Sequence, residues 1–249
     1  MDGTQRYRAI VEYDGTDFAG FQRQADKFRT VQGELETAFG KLGQGFIPLL
    51  AAGRTDSGVH ATGQVVSFDL NWKHDLSKLL LAINTHLPWD VAVRNVEPIA
   101  QDFHPRFNAQ RRAYDYYIEM CDNSARRPLS RKRTWQVFKP LDLDAMNQAA
   151  SALIGKKDFA TFGTPPQGNN TVREIFVAKW NQDDEKLVFQ IEANAFLYRM
   201  VRSIVGSLKL VGDGSWSVER FTEAVKAAER KQSAAVAPAW GLYLVSVTY

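Results

Sequence analysis

The chain has 249 residues, of which 45% are hydrophobic and 24% charged, as is typical of a soluble globular protein with one large or two small domains. Its formal net charge of +3 is too small to identify a nucleic-acid-binding protein. Composition therefore gives the broad class of the protein but does not indicate its partner.

Residue usage excludes several kinds of site. Cys121 is the only cysteine, so neither an intrachain disulfide nor a cysteine-based metal cluster can form. The four histidines are scattered without metal-ligand spacing. No apolar run approaches the ~18 residues that span a bilayer, and the first residues lack a charged-then-apolar leader. We therefore expect a cytoplasmic protein without a metal site or membrane contact.

The first half of the chain alternates strand and helix patterns. Residues 6–13 predict a strand, and Thr30 is a candidate N-cap for the helix that follows. Residues 46–52 and 64–70 are largely apolar and predict two more strands, and a second helix leads into a strand at 91–96. The apolar positions of the two helices are Val31, Leu35, Ala38, Phe39 and Leu42, and then Leu76, Leu79, Leu80, Ile83 and Leu87.

The second half runs in a similar order after a polar, proline-containing block at residues 101–110. We place a domain boundary near residue 108 and expect domains at 1–108 and 109–249. The second domain is predicted to have strands at 114–120, 135–138, 172–180, 186–193 and 242–249, and helices at 143–154, 194–211 and 218–228, the last capped by Ser217. Because strands and helices interleave without a regular βαβ repeat, the sequence predicts an α+β fold.

The nonapeptide GRTDSGVHA, residues 53–61, concentrates polar chemistry between two predicted strands. It contains Arg54, Asp56 and His60, and its glycines leave room for a ligand beside the carboxylate. The pattern predicts a functional site. The alternative is an Asp-Ser-Gly turn in which Asp56 bonds its own backbone.

A local excess of positive charge lies between residues 106 and 133. This run suits phosphate contacts, although it is also typical of a solvated face. It consists of Arg106, Arg111, Arg112, Arg126, Arg127, Arg131, Lys132 and Arg133, against Asp115, Glu119 and Asp122.

The nonapeptide resembles the signature loop of the TruA family of tRNA pseudouridine synthases. Seven further segments resemble that family in the same order along the chain: residues 13–24, 87–93, 103–107, 112–116, 171–175, 196–206 and 237–244. The resemblance implies two related domains with antiparallel or mixed sheets joined across a central cleft, with helices packed on the sheet. It also implies isomerisation of uridine to pseudouridine at positions 38, 39 and 40 of the tRNA anticodon stem-loop, without a metal or an organic cofactor.

The resemblance assigns three catalytic residues. Asp56 matches the family's essential carboxylate, Arg202 the arginine paired with it, and Tyr114 the aromatic face on which the target uracil stacks. The alternatives are an arginine at a helix edge and a tyrosine in the core. Strand alternation places Tyr114 and Tyr116 on one face and Tyr117 on the other.

Substrate-binding residues follow from the same resemblance. Arg54 is expected to assist extraction of the nucleotide, and Phe21 and Gln22 to line the cleft. The alternatives are an arginine that clamps the turn and a phenylalanine in the core. The basic run at residues 106–133, and not the resemblance, adds Arg126 and Arg127, which are expected to contact tRNA phosphates. The family also implies a homodimer, with the interface in the second domain and tRNA lying across a basic groove formed by both chains.

Two other functions remain open at this point. A non-catalytic tRNA-binding or tRNA-folding chaperone would keep the cleft without the chemistry, but the presence of Asp56, Tyr114 and Arg202 argues against it. A carboxylate hydrolase would need a second acid beside Asp56. Asp14, Asp17 and Asp69 form no recognisable paired-carboxylate motif.

Overall fold

The computed structural model describes residues 3–24, 27–42, 45–121 and 125–249. Over these residues the chain forms ten strands and five α-helices, which confirms the predicted α+β class. They divide into two compact units. Unit 1 contains the described chain up to Gln110 together with Leu244–Tyr249, and unit 2 contains the described part of Arg111–Tyr243.

Unit 1 is built on an antiparallel sheet. The elements are β1 (Gln5–Tyr13), α1 (Val31–Gly40), β2 (Leu50–Ala51), β3 (His60–Leu70), α2 (Leu76–His86) and β4 (Val91–Pro98). Strand β1 lies between the other two long strands in the order β4–β1–β3, and β2 pairs with β3.

The first helix begins where the sequence predicts. The Thr30 hydroxyl accepts a hydrogen bond from the Gly33 amide at 3.3 Å, so it satisfies one of the free amides of the first turn. Val31, Leu35 and Phe39 of α1 are fully buried. The predicted cap is confirmed, and so is the apolar face up to Phe39, whereas Leu42 lies beyond the helix and is half-buried.

The strand predicted at residues 46–52 is wrong over most of its length. Only Leu50 and Ala51 pair with β3, opposite Ser67 and Val66. The Leu49 amide instead donates to the Glu36 side chain at 3.5 Å. The Ala52 amide still donates to the Val65 carbonyl of β3 at 2.9 Å. Strand formation needs a neighbouring backbone as well as apolar side chains, and β3 provides one only at the end of this run.

The elements of unit 2 are β5 (Arg111–Met120), β6 (Trp135–Val137), α3 (Leu143–Ser151), β7 (Gly155–Asp158), β8 (Val172–Asp183), β9 (Lys186–Ala193), α4 (Met200–Gly212) and α5 (Val218–Ala227). Its strands pair in the order β5–β9–β8–β7, and β6 pairs in parallel with β5. The chain ends in β10 (Leu242–Thr248), whose residues from Leu244 onward lie in unit 1 beside β3.

The predicted helix at residues 194–211 is wrong at its start, because α4 begins only at Met200. The Tyr198 amide donates to the Thr164 carbonyl at 2.9 Å, as in a strand, and Arg199 has a φ of +60°. A left-handed residue interrupts helical geometry, whereas the spacing of apolar side chains continues across it. The helix predicted at residues 143–154 is three residues longer than α3, and β7 follows where no strand was predicted.

Candidate active site

Asp56 opens a tight turn in unit 1. The Val59 amide donates to the Asp56 carbonyl at 3.1 Å, and Gly58 has a φ of +78°, a conformation that favours glycine. The turn lies between β2 and β3, as predicted. A backbone hydrogen bond therefore closes the turn, and Asp56 itself is half-buried.

The loop that carries Asp56 is bound to the segment after β1. The Phe21 amide donates to the Thr55 carbonyl at 3.1 Å, and the Ser57 hydroxyl donates to the Phe18 carbonyl at 3.0 Å. The hydroxyls of Tyr13 and Thr55 are hydrogen-bonded at 2.8 Å. The motif at residues 13–24 therefore holds the chain at Thr55 and Ser57, the residues on either side of Asp56.

His60 has a structural environment. Its buried ring accepts a hydrogen bond from the Gly15 amide at Nδ1, at 3.0 Å, and this nitrogen lies 3.1 Å from an Asp14 carboxylate oxygen. A Cβ on Gly15 would lie 2.0 Å from the Val59 carbonyl oxygen, so only glycine allows this approach. The sequence did not reveal the contact of Asp14 and Gly15 with His60.

The substrate-binding residues expected in unit 1 differ in exposure. Arg54 and Gln22 are exposed, whereas Phe21 is only 2% exposed and its ring packs 6.2 Å from that of Tyr13. In this structure Phe21 is therefore a core aromatic, as the alternative interpretation allowed, and Arg54 and Gln22 are accessible to a ligand.

Tyr114 lies on the buried face of β5 in unit 2. Tyr114 and Tyr116 are buried and Tyr117 is half-buried on the opposite face, which confirms the predicted alternation. The rings of Tyr114 and Phe196 meet nearly perpendicularly, with centroids 5.1 Å apart. This contact fixes the tilt of the Tyr114 ring.

Arg202 lies on α4 with a half-buried side chain. Its Nε donates to the Ala237 carbonyl at 2.8 Å. Burial raises the pKa of Tyr116, and the positive charge of Arg202 acts in the opposite direction, so the guanidinium is close enough to that phenol to influence it. The predicted helix-edge alternative, a solvent-exposed arginine, does not describe this environment.

Arg126 and Arg127 differ in charge pairing. Arg127 forms ion pairs with Glu185 and, at 3.7 Å, with buried Glu119, and the bond to Glu185 raises the pKa of the guanidinium. Arg126 is exposed. The two arginines look equivalent in the sequence, because the acidic partners of Arg127 lie on β5 and in the turn between β8 and β9.

The predicted site residues are thus distributed over both units: Arg54, Asp56, Phe21 and Gln22 in unit 1, and Tyr114, Arg202, Arg126 and Arg127 in unit 2. The pairing of Arg202 with Asp56 stays a prediction. Among the described residues, no group of three or more His, Cys, Asp or Glu side chains is arranged to hold a metal ion. No helix in the described ranges is long and apolar enough to cross a membrane.

Comparison with known proteins gives consistent matches over most of the chain. Residues 9–108 and 149–249 match the family model described as tRNA pseudouridine synthase. A protein of Maricaulis maris named tRNA pseudouridine synthase A is 44% identical over 246 residues, which cover 98% of each chain. A protein of the same name from Shewanella amazonensis is 42% identical over 240 residues, covering 96% of this chain and 91% of its own.

One solved structure, described as a Cbf5-Nop10-Gar1 complex, has a TM-score of 0.36 to this chain and 11% identity, and covers 81% of this chain and 54% of its own. A likeness of this size supports no conclusion about the chain.

Proposed function

The chain belongs to the tRNA pseudouridine synthase family, and on that premise we propose that it isomerises uridine to pseudouridine at positions 38, 39 and 40 of the tRNA anticodon stem-loop. The observation that carries the proposal is the 44% identity to a tRNA pseudouridine synthase A over 98% of both chains. The reaction breaks the bond between ribose and N1 of uracil, turns the base, and rejoins it through carbon 5. It involves neither a redox change nor net hydrolysis.

Asp56 is the proposed catalytic carboxylate. It adds to the ribose or the base, or it removes a ribose proton to give a glycal, and either course requires the ionised form. The turn between Asp56 and Val59 and the contact of Phe21 with Thr55 support this assignment, because they hold the loop backbone without using the carboxylate. A carboxylate held in this way is oriented before the substrate binds.

Arg202 is the proposed cationic partner of the Asp56 carboxylate. A positive charge close to a carboxylate favours its charged form and can orient it by a hydrogen bond. The bond from Nε of Arg202 to the Ala237 carbonyl supports this role, since it fixes the plane of the guanidinium.

Tyr114 is the proposed stacking platform for the uracil. Its perpendicular contact with Phe196 supports this role by holding the ring in one orientation. Arg54 and Gln22 are proposed to contact the extracted nucleotide, with Phe21 supporting them from the core. Extraction of a paired base costs a few kcal/mol, which these contacts and the phosphate contacts of Arg126 and Arg127 would offset.

We further propose that the enzyme acts in the cytoplasm as a homodimer whose interface lies in the second domain, and that tRNA lies across a basic groove formed by both chains. Sedimentation at micromolar concentration tests the dimer.

The activity is tested with purified protein and an unmodified tRNA transcript that carries uridine at positions 38, 39 and 40. We expect pseudouridine at these positions and not elsewhere when the product is mapped chemically. Matched transcripts with cytidine at one position at a time should lose only that signal. A transcript that remains unmodified at all three positions would refute the proposed specificity.

A further inference from the structure

Arg202 is bound to the loop that precedes β10 through two reciprocal hydrogen bonds. Its Nε donates to the Ala237 carbonyl at 2.8 Å, and the Ala237 amide donates to the Arg202 carbonyl at 3.0 Å. Arg202 therefore binds both the backbone carbonyl and the backbone amide of Ala237. We call residues 229–238, which run along α4 within unit 2, the strap.

Ser207 attaches the strap one turn further along α4. Its fully buried hydroxyl accepts from the Ala234 amide at 3.1 Å and donates to the Ser203 carbonyl at 3.0 Å. A buried hydroxyl that is satisfied in both directions holds its partners firmly, since the loss of either bond would leave a buried polar group unpaired.

Gly206 lets the strap approach the helix. A Cβ on Gly206 would lie 2.0 Å from the Ala235 carbonyl oxygen and 3.3 Å from the Ala237 amide nitrogen. These neighbours are backbone atoms, so the strap itself would have to move to accommodate a side chain.

The far end of the strap is held by Thr161. The Glu229 amide donates to the Thr161 hydroxyl at 3.0 Å, and the Arg230 guanidinium donates to the Thr161 carbonyl at 3.1 Å and to the Ser203 hydroxyl at 3.3 Å. Thr161 is fully buried. The strap therefore has a fixed origin before it reaches Ala237.

The near end of the strap reaches the strand that carries Tyr114. The Pro238 carbonyl accepts from the Tyr116 hydroxyl at 2.8 Å, and Tyr116 lies two residues from Tyr114 on the same face of β5. One short segment thus contacts both Arg202 and the face of the sheet that presents Tyr114.

We propose that the strap positions the Arg202 guanidinium, and that Gly206 and Ser207 are positioning residues for the reaction that act through it. The inference depends on the catalytic role proposed for Arg202. Neither residue touches the substrate; each controls where the Ala237 carbonyl lies, and this carbonyl sets the plane of the guanidinium.

Gly206→Ala tests the inference, with Gly212→Ala as the matched control. Gly212 is on the same helix, but its Cβ would meet only side-chain atoms, 2.4 Å from Sδ of Met146 and 3.3 Å from Cβ of Leu141, instead of backbone. We expect Gly206→Ala to lower the single-turnover rate by about 100-fold, as for a displacement of about 1 Å, with tRNA affinity within about twofold of the wild type. Gly212→Ala should retain the wild-type rate.

A double-mutant cycle separates positioning from a general loss of structure. If Gly206 acts through Arg202, Gly206→Ala should lower the rate by no more than about threefold further in an Arg202→Ala background, followed over hours. Full additivity of the two effects, or a wild-type rate in folded Gly206→Ala protein, would overturn the inference. If Gly206→Ala does not fold, Ser207→Ala replaces it in the same cycle under the same criteria.

The test also separates this inference from the proposed function. A wild-type rate for Arg202→Ala would refute the role of Arg202, and with it the purpose assigned to the strap. A slow Arg202→Ala enzyme with fast strap variants would refute the strap inference alone.

Discussion

At the scale of single residues, Asp56 stands in a turn that backbone atoms close. The bond from the Val59 amide to the Asp56 carbonyl and the left-handed Gly58 define the turn. Asp56 is interpreted either as a simple turn former or as a catalytic carboxylate. The two interpretations predict different effects for the isosteric substitution Asp56→Asn.

Asp56→Asn should lower pseudouridine formation by about 10⁴-fold or more, because the negative charge and the nucleophile or base are both removed. The unfolding free energy should change by less than about 1 kcal/mol, since the backbone closes the turn. Product mapping, urea denaturation and tRNA binding check this in one preparation. Asp102→Asn, an exposed carboxylate in the same unit, is the control, and comparable turnover in both variants would rule out Asp56 as the catalytic carboxylate.

Arg126 and Arg127 should respond differently to replacement by alanine. Loss of exposed Arg126 should weaken tRNA binding and reduce the slope of log K against log salt by about 1. Loss of Arg127 should also lower the melting temperature, because buried Glu119 and its neighbour Glu185 lose their cation. Filter binding at several salt concentrations and thermal melts distinguish the two. Equal salt slopes in Arg126→Ala and the wild type would mean that Arg126 makes no phosphate contact.

At the scale of secondary-structure elements, the first turns of α2 and α3 differ in their capping. The Asp142 carboxylate accepts from the Ala145 amide at 2.9 Å, whereas Asp75, in the same position before α2, forms no side-chain cap hydrogen bond. Asp142 and Asp75 are therefore a matched pair: both are aspartates at a helix N-cap, and only Asp142 forms the capping hydrogen bond.

Asp142→Ala should therefore lower the unfolding free energy by about 1 kcal/mol, whereas Asp75→Ala should change it by no more than about 0.5 kcal/mol. Urea denaturation at pH 7 measures both. Equal losses would show that the carboxylates stabilise their helices through charge alone and that the hydrogen bond to Ala145 contributes nothing.

At the scale of the whole molecule, stability should depend on pH through Asp213 at the end of α4. Burial raises the pKa of this carboxyl, but the bonds from Lys209, at 2.6 Å, and from Ser215 outweigh burial and bring the pKa to about 2. The folded state therefore favours the ionised form. Its contribution to stability is complete above about pH 4 and is lost as the pH falls towards 2.

Asp213→Asn should accordingly be less stable than the wild type at pH 7, and the difference should narrow between about pH 4 and pH 2. Denaturant titrations at several pH values measure the difference directly. A stability difference that stays constant over this range would contradict the assignment of the low pKa to Asp213.

The sequence predicted those features whose causes lie within a few residues. The Thr30 cap, the apolar face of α1 and the alternation along β5 each depend on local spacing, and each is confirmed. The family could be recognised from short motifs such as residues 53–61. The start of α4 was missed because the Tyr198 amide binds Thr164, a partner outside the local pattern.

By itself, then, the sequence determined the α+β class, the helix starts at Thr30 and Ser217, and the identity of the groups available for chemistry, because periodicity and capping act within one or two turns of chain. Only the tertiary structure decided that Phe21 is buried, that Arg127 is paired with Glu119 and Glu185, and that Arg202 is held by Ala237, 35 residues further along the chain. These outcomes depend on which distant groups folding brings within about 3 to 4 Å of each other, since hydrogen bonds and ion pairs act only at contact.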